Sequence, residues 1–215
     1  MALKLTTAEP FVPQTHDLPV LREAVQGCRG CDLYNHATQA VFGEVQEPST
    51  AANAHIDIMM IGEQPGDKED LEGRPFVGPA GKLLDQCLAE AGIDRRKVYV
   101  TNAVKHFKWE PRGKLRLHKK PTLREVAACK PWLQAELDAV SPRLILCLGA
   151  TAAQSLLGSA FKVTQSRGEV QNLIGMPPIM ATVHPSSILR ATDEDRAQQM
   201  RAFIDDLKLV KVHLG

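Results

Sequence analysis

The stretch IDIMMIGEQPG, residues 56–66, places a short apolar run directly before a loop of glycine, proline and polar residues. An apolar run of this length, bounded by such a loop, predicts a buried strand over residues 56–61 that ends at Gly62. Three further short runs of this kind, at residues 97–100, 144–148 and 179–183, predict three more strands. The strand and loop at residues 56–66 therefore define the first unit of a sheet.

Amphipathic segments separate these apolar runs. The period of their apolar residues predicts helices over residues 81–91, 123–140, 150–157 and 193–211. Thr122 and Glu125 form a capping box at the start of the second helix, and Pro142 lies just beyond its end. Strands that alternate with helices favour a mostly parallel sheet covered on both faces. We therefore predict an α/β fold with three α/β/α layers and a central four-stranded sheet.

Size and composition limit the architecture further. The chain has 215 residues, 44% of them hydrophobic, and a formal net charge of +1, which fits one compact domain. No apolar run approaches the roughly 20 residues that span a bilayer, and the start of the chain lacks the features of a secretory signal. We therefore expect a cytoplasmic protein. Three prolines in residues 1–24 predict a loosely attached N-terminal arm, with residues 25–215 as the single domain.

The five cysteines are expected to stay reduced in that compartment. Cys28 and Cys31 form a CxxC motif, which alone fits a redox pair, a metal site or chance. A thioredoxin-like site would follow a strand, and no strand is predicted here, so metal binding is preferred. Cys129 and His106 are the candidates for two further ligands, and the other two cysteines lie in apolar runs typical of the core.

The segment 105–120 carries a strong local positive charge. Seven basic residues stand there against one acidic residue, although the whole chain is nearly neutral. Such runs are most often solvated faces, but this one also contains His106, Phe107, Trp109 and His118. Aromatic and basic side chains that alternate are suited to stacking on bases and contacting phosphates. The segment therefore favours nucleic-acid binding.

In open parallel sheets, ligands bind at the carboxyl ends of the strands. The residues that follow the four predicted strands are 62–67, 101–102, 149–151 and 184–187. From their position alone, we expect Thr151 and Ser187 to be helix-cap and turn residues. The glycine-rich stretch 62–82 is not a Walker phosphate loop, because Gly78 is followed by proline and Lys82 by leucine.

Four motifs together resemble one known family. These are the CxxC motif, the stretch GEQPGDKEDLEGRPFVGPAGKLLD at residues 62–85, TNAVKHF at 101–107 and HPSSILR at 184–190. They resemble the iron-sulfur branch of the uracil-DNA glycosylase superfamily. Within it, the basic loop GKLRLH at residues 113–118 is similar to that of the UdgX type, which links covalently to DNA. That loop usually reads KRRIH, so Leu115 and Leu117 depart from the pattern.

The resemblance implies a metal site. In the iron-sulfur branch, four ligands surround a 4Fe-4S cluster, and the third, just after the second strand, is commonly a cysteine. The implied ligands here are Cys28, Cys31, His106 and Cys129. Three cysteines and one histidine also suit structural zinc, which is the alternative. Either metal would fix the N-terminal arm and the basic segment to the domain.

The resemblance also implies a mechanism on a uracil flipped out of DNA. Asn102 would read O4 and N3–H of the base, and Phe76 would stack on it. His184 would stabilise negative charge on uracil O2. Glu63 would stabilise the positive sugar or act as a base, and His118 would attack C1′ and remain bound to it.

The remaining implied residues surround this centre. Gln64, Gly66 and Asp67 would line the pocket, and phosphates would be contacted by Arg112, Lys114, Arg116, Lys119, Ser186, Ser187 and Arg190. The expected partner is uracil-containing DNA, single-stranded or flipped from a duplex, bound by a monomer. Two alternatives remain: a conventional multiple-turnover glycosylase in which His118 only binds the backbone, and a non-catalytic metal-containing nucleic-acid-binding module.

Overall fold

The computed structural model describes residues 7–45 and 55–215. Its strands are β1 (Ile58–Gly62), β2 (Val98–Asn102), β3 (Trp109–Arg112), β4 (Leu115–His118), β5 (Leu144–Leu148) and β6 (Ile179–Thr182). Four of them form a parallel sheet in the order β2-β1-β5-β6. The predicted central four-stranded sheet is therefore confirmed.

Helices cover both faces of this sheet. They are α1 (Leu18–Ala24), α2 (Asp67–Glu72), α3 (Pro79–Ala91), α4 (Leu123–Val140), α5 (Ala150–Leu157), α6 (Val163–Ser166), α7 (Pro185–Leu189) and α8 (Asp193–Leu214). Alternate residues of β1 point to opposite faces: Met60 packs with α3 and α8, whereas Met59 packs with α4 and α5. This arrangement gives the three α/β/α layers that the sequence predicted.

Two differences in element bounds position the site. Strand β2 continues to Asn102, two residues beyond the predicted end, so that Asn102 pairs with Gly62 at the edge of the sheet. Helix α3 begins at Pro79, because proline fits the first turn of a helix, where its missing N–H costs no hydrogen bond. The longer β2 places Asn102 beside the end of β1.

The basic segment contains a hairpin that the sequence did not predict. Strands β3 and β4 pair antiparallel, with Trp109 opposite His118, around a turn in which Gly113 has φ +61°. The start of the segment is buried instead of facing a polyanion: Lys105 is 0% exposed and Phe107 only 1%. That part of the nucleic-acid prediction is wrong, because Lys105 pairs with Glu136 inside the domain and Phe107 packs against Arg116 and His118 of the hairpin.

The N-terminal segment is also more tightly packed than predicted. Residues 1–6 lie outside the described part of the chain. In the remainder of the arm, Ala8 donates a backbone hydrogen bond to the carbonyl of Ala128 (2.7 Å), and Leu21 is fully buried. Pro19 does not break a helix here; it lies in the first turn of α1, which Asp17 caps.

Across residues 7–45 and 55–215, no helix combines the length and the apolar character needed to cross a membrane.

Candidate active site and metal site

The four parallel strands end at one crevice that collects polar side chains from separate parts of the sequence. Glu63 follows β1, Asn102 ends β2, Thr151 lies in the first turn after β5, and His184 follows β6. Because all four strands run in the same direction, their carboxyl ends meet at one edge. The predicted catalytic and base-reading residues on the sheet are therefore neighbours.

Asn102 lies at the bottom of this crevice. It is 2% exposed, and its side-chain nitrogen Nδ2 has no hydrogen-bond partner within the described residues. A buried polar atom without a partner costs free energy, so such atoms commonly mark a position that a ligand fills. The amide of Asn102 is therefore available to a ligand that offers an acceptor.

Phe76 forms an apolar wall beside Asn102. It is 3% exposed and has φ +57°, a backbone conformation uncommon for a residue with a large side chain. Gly62 makes room for its ring, since a Cβ on Gly62 would lie 2.9 Å from Cζ of Phe76. Glu69 holds the Phe76 backbone by accepting a hydrogen bond from its N–H (2.6 Å). Gly62 thus accommodates the ring of Phe76, and Glu69 holds its left-handed backbone.

Glu69 was missed by the sequence analysis. Its carboxylate also accepts a hydrogen bond from the backbone N–H of Gly66, at the start of α2, and burial raises its pKa. A glutamate three residues after a helix N-cap is the spacing of a capping box, and this spacing was the available signal. Gly66, predicted to contact the substrate, therefore has its N–H bonded to Glu69.

His184 is the N-cap residue of α7, and the first turn of that helix holds its ring in one tautomer. Its Nδ1 accepts a hydrogen bond from the backbone N–H of Ser186 (3.1 Å), which assigns the proton of the neutral ring to Nε2. Burial and, to a lesser extent, the positive charge of Arg190 together lower the pKa of His184 to about 4. Near neutral pH the ring is therefore uncharged, with Nε2–H free to donate.

The two serines predicted to contact phosphates both contact His184. Ser186 Oγ lies 2.8 Å from Nδ1, and Ser187 Oγ donates to the His184 carbonyl (2.8 Å). Arg190 donates to Ser186 Oγ at 3.2 Å. In this structure these three residues hold the histidine, so a phosphate contact would be an additional role.

Glu63 and His118 face each other across the mouth of the crevice. Nε2 of His118 lies 3.7 Å from Oε1 of Glu63. The other carboxylate oxygen of Glu63 accepts a short hydrogen bond from the hydroxyl of Thr151. Thr151 therefore orients a candidate catalytic group, a role beyond the cap or turn role expected from its position.

The imidazole of His118 is half-exposed at the end of β4. Burial lowers its pKa, while the carboxylate of Glu63 opposes that shift. A neutral ring offers one unprotonated nitrogen, which is a nucleophile or a hydrogen-bond acceptor. The hairpin thus carries this imidazole to the same crevice that holds Asn102 and His184.

Gln64 fastens the hairpin to the sheet. Its Nε2 donates to the carbonyls of Lys108 (3.2 Å) and Lys119 (3.0 Å), and its Oε1 accepts from the Lys108 N–H (3.1 Å). The amide is therefore committed to the two ends of the hairpin. The structure gives Gln64 this positioning role, and its contact with substrate stays a prediction.

Arg116 provides the second attachment of the hairpin. Its guanidinium donates to Asp67 and to the buried Asp70, at 2.5 Å each. It also lies over the rings of Phe107 (5.5 Å) and Trp109 (5.6 Å), in cation–π contact. This ion pair holds β4 against α2, and the contacts of Arg116 with phosphate and of Asp67 with substrate stay predictions.

The other predicted phosphate ligands lie on the outer surface of the hairpin. Arg112 and Lys114 are exposed beside the turn, while Lys119 pairs with Glu110 across the strands at 2.8 Å. Leu115 and Leu117, on the outward face of β4, are also exposed. The hairpin therefore presents cationic and apolar side chains next to the crevice.

Three of the predicted metal ligands share one cluster. Cys28 and Cys129 are buried in it and Cys31 packs against it. Burial raises the pKa of Cys129 to about 12, and the neighbouring thiols of Cys31 and Cys28 contribute to that rise. His106, also buried, follows Lys105, whose N–H donates to Cys129 Sγ (3.3 Å).

In the described part of the chain, no three His, Cys, Asp or Glu side chains are grouped closely enough to hold one metal ion. The cysteines are free thiols in the structure. The structure thus brings the three sulfur donors into one region, and His106 directly follows the residue whose N–H contacts Cys129.

Comparisons with known proteins agree with this arrangement. The family model described as Uracil DNA glycosylase superfamily matches residues 49–208. The type-4 uracil-DNA glycosylase of Thermotoga maritima is 35% identical over 90% of this chain and 93% of that protein. That of Archaeoglobus fulgidus is 36% identical over 79% and 81%. A type-5 uracil-DNA glycosylase of Pyrobaculum aerophilum is 35% identical over 51% and 47%. The chain therefore belongs to the uracil-DNA glycosylase superfamily and, within it, to the type-4 branch.

Proposed function

We propose that this protein excises uracil from DNA and then becomes covalently linked, through His118, to C1′ of the abasic sugar. The observation that carries the proposal is the unpaired Nδ2 of buried Asn102, in the same crevice as the facing pair Glu63 and His118. The type-4 relatives support uracil excision through their names. The covalent step rests on the position of His118 and on the resemblance of its loop.

Base recognition is assigned to Asn102 and Phe76. Uracil offers an acceptor at O4 and a donor at N3–H, which match Nδ2 and Oδ1 of Asn102. Cytosine offers a donor and an acceptor in the opposite order, so that buried polar atoms would be left unpaired. Phe76 supplies the planar apolar wall on which the flipped base stacks.

Bond cleavage is assigned to His184 and Glu63. When the bond between C1′ and N1 breaks, its electron pair leaves with uracil and negative charge develops on O2. Nε2–H of His184 donates to that oxygen, and the fixed tautomer means that no rearrangement is needed. The carboxylate of Glu63, oriented by Thr151, stabilises the positive charge that develops on the sugar.

The covalent step is assigned to His118. The lone pair of its unprotonated ring nitrogen forms a bond to C1′, while the uracil anion takes a proton from solvent. The ring then carries a positive charge. Glu63, at 3.7 Å, stabilises that charge or removes the one N–H proton that the ring still carries. Gln64 and Arg116 hold the hairpin so that the imidazole remains at the crevice.

A 4Fe-4S cluster is proposed for Cys28, Cys31, His106 and Cys129. Three thiolates and one imidazole suit either a cluster or structural zinc, and the resemblance to the iron-sulfur branch favours the cluster. When bound, the cluster would supply a rigid link between the N-terminal segment, α4 and the chain that leads to the hairpin.

The test is incubation with a uracil-containing single-stranded oligonucleotide, followed by a denaturing gel. A band of protein and DNA that survives heat and detergent is the expected result. Free abasic DNA would indicate conventional turnover. Unchanged oligonucleotide would indicate a binding module without catalysis. His118→Ser should abolish the shifted band, whereas the control Leu117→Ala, on the outward face of the same strand, should retain it.

A further inference from the structure

A buried ion pair between Lys105 and Glu136 lies under the end of β2, and the mechanism above does not use it. Both side chains are 0% exposed, and the ammonium and carboxylate form a short contact. Removing two charges from water is costly, and an apolar pair of similar volume is often no less stable. Stability alone therefore does not account for this pair.

The ammonium of Lys105 has three N–H donors, and the structure gives it three acceptors. These are Glu136 Oε2, Thr101 Oγ1 (2.7 Å) and the backbone carbonyl of Asn102 (2.7 Å). The third acceptor belongs to the residue proposed to read the base. Every donor of this buried cation is therefore used, and one of them fixes the Asn102 peptide group.

That bond matters because Nδ2 of Asn102 has no partner of its own. The direction of the side chain then depends on the backbone that carries it. The peptide group after Asn102 is held on one side by Ala103 N–H, which donates to the Gly62 carbonyl (2.9 Å), and on the other by Lys105. Without Lys105, this peptide group would keep only the hydrogen bond from Ala103 N–H to the Gly62 carbonyl.

Glu136 fixes the position of the ammonium from the α4 side. Its Oε1 accepts hydrogen bonds from the Gly43 N–H (2.8 Å), the Tyr99 hydroxyl (3.1 Å) and the Thr101 hydroxyl (2.9 Å). A carboxylate with this many donors has little freedom to move. The chain of contacts from α4 to Asn102 is therefore continuous and consists of short hydrogen bonds.

We propose that Lys105, with Glu136 as its counter-charge, is a positioning residue that sets the direction of Asn102 for uracil recognition. The inference rests on the proposed excision activity. Lys105 does not touch the substrate; it acts through the carbonyl of Asn102.

The test variant is Lys105→Met/Glu136→Gln. Lys105→Met alone would leave Glu136 charged, buried and unpaired, and such a variant is expected to fold poorly. The double variant removes both charges, and the glutamine keeps an acceptor for the Gly43 N–H. Uracil release is measured in single turnover against protein concentration. We expect a maximal rate about 100-fold lower, the order that a misplacement of roughly 1 Å causes, with half-saturation changed less than about twofold.

A double-mutant cycle separates positioning from general stability. If Lys105 acts through Asn102, the double variant should lower the rate much less in an Asn102→Ala background than in the wild type. Tyr99→Phe is the matched control, since it removes a bond to Glu136 and leaves the contact with Asn102 in place. It should leave the maximal rate within about threefold of wild type.

An equal rate reduction in both backgrounds would overturn the inference, as would a folded double variant with the wild-type rate. A wild-type protein that releases no uracil would contradict the proposed function itself and remove the inference with it.

Discussion

Gly62→Ala should impair base recognition without removing any functional group. A Cβ on Gly62 would lie 2.9 Å from Cζ of Phe76 and nearer still to Oδ1 of Asn102, whereas ordinary contact begins near 3.4 Å. Phe76 would therefore have to move by about 0.5 Å and Asn102 by more, at the position where uracil is to be read. Misplacement of a binding group by roughly 1 Å can lower a rate by about 100-fold.

The assay is single-turnover release of uracil from a labelled oligonucleotide, with thermal unfolding measured in parallel. We expect Gly62→Ala to react about 100-fold more slowly than wild type. The control is Gly78→Ala, because no atom lies within 4 Å of the added Cβ there. It should react at the wild-type rate. A Gly62→Ala protein that also reacts at the wild-type rate would refute the assignment of the pocket to Asn102 and Phe76.

Three further outcomes are expected. Thr151→Val removes the hydroxyl that orients Glu63. It should slow uracil release about tenfold, as expected for the loss of a hydrogen bond to a charged group. An unchanged rate would mean that Thr151 has only a structural role. Gln64→Met should reduce adduct yield more than uracil release, because it detaches the hairpin that carries His118. Equal reductions in adduct yield and in uracil release, measured on the denaturing gel, would contradict this. Burial places the pKa of His118 below its usual value near 6.5. Adduct yield should therefore stay level from pH 8 to about 6.5 and fall at lower pH, as the ring gains a proton. A yield that rises in acid would exclude a neutral nucleophile.

The folded pKa of His184 gives a separate prediction for stability. It is lowered to about 4 by burial, whereas the unfolded chain has a value near 6.5. Between these values the unfolded state binds the proton and the folded state does not. The free energy of unfolding should therefore fall as pH decreases from about 6.5 to 4. Urea unfolding at several pH values measures this, and His184→Gln should flatten the dependence; an equally steep dependence in that variant would contradict the assignment.

The sheet and its major helices could be predicted from sequence because their patterns are local. The apolar run at residues 144–148 and the capping box at Thr122 gave the bounds of β5 and α4 as the structure has them. Such patterns arise from burial on a fixed period, which is visible in the sequence alone. The crevice followed from the same reasoning, since parallel strands place their ends together.

The features that were missed depend on contacts between distant residues. The hairpin of β3 and β4 has exposed leucines and is held by Arg116 and Gln64, whose partners lie about 40 to 55 residues away in sequence. Lys105 was read as one member of a basic run, yet its counter-charge Glu136 lies 31 residues later in α4. No local pattern distinguishes a buried lysine from a solvated one.

The central claim is that His118 reacts with the sugar of an excised uracil nucleotide. The most direct measurement is mass spectrometry of peptides from protein incubated with a uracil-containing oligonucleotide, after nuclease digestion of the DNA. The account predicts a peptide whose mass is increased by the remaining abasic nucleotide, with fragmentation assigning the modification to His118. A modification on another residue, or unmodified His118 in protein that has released a full equivalent of uracil, would contradict it.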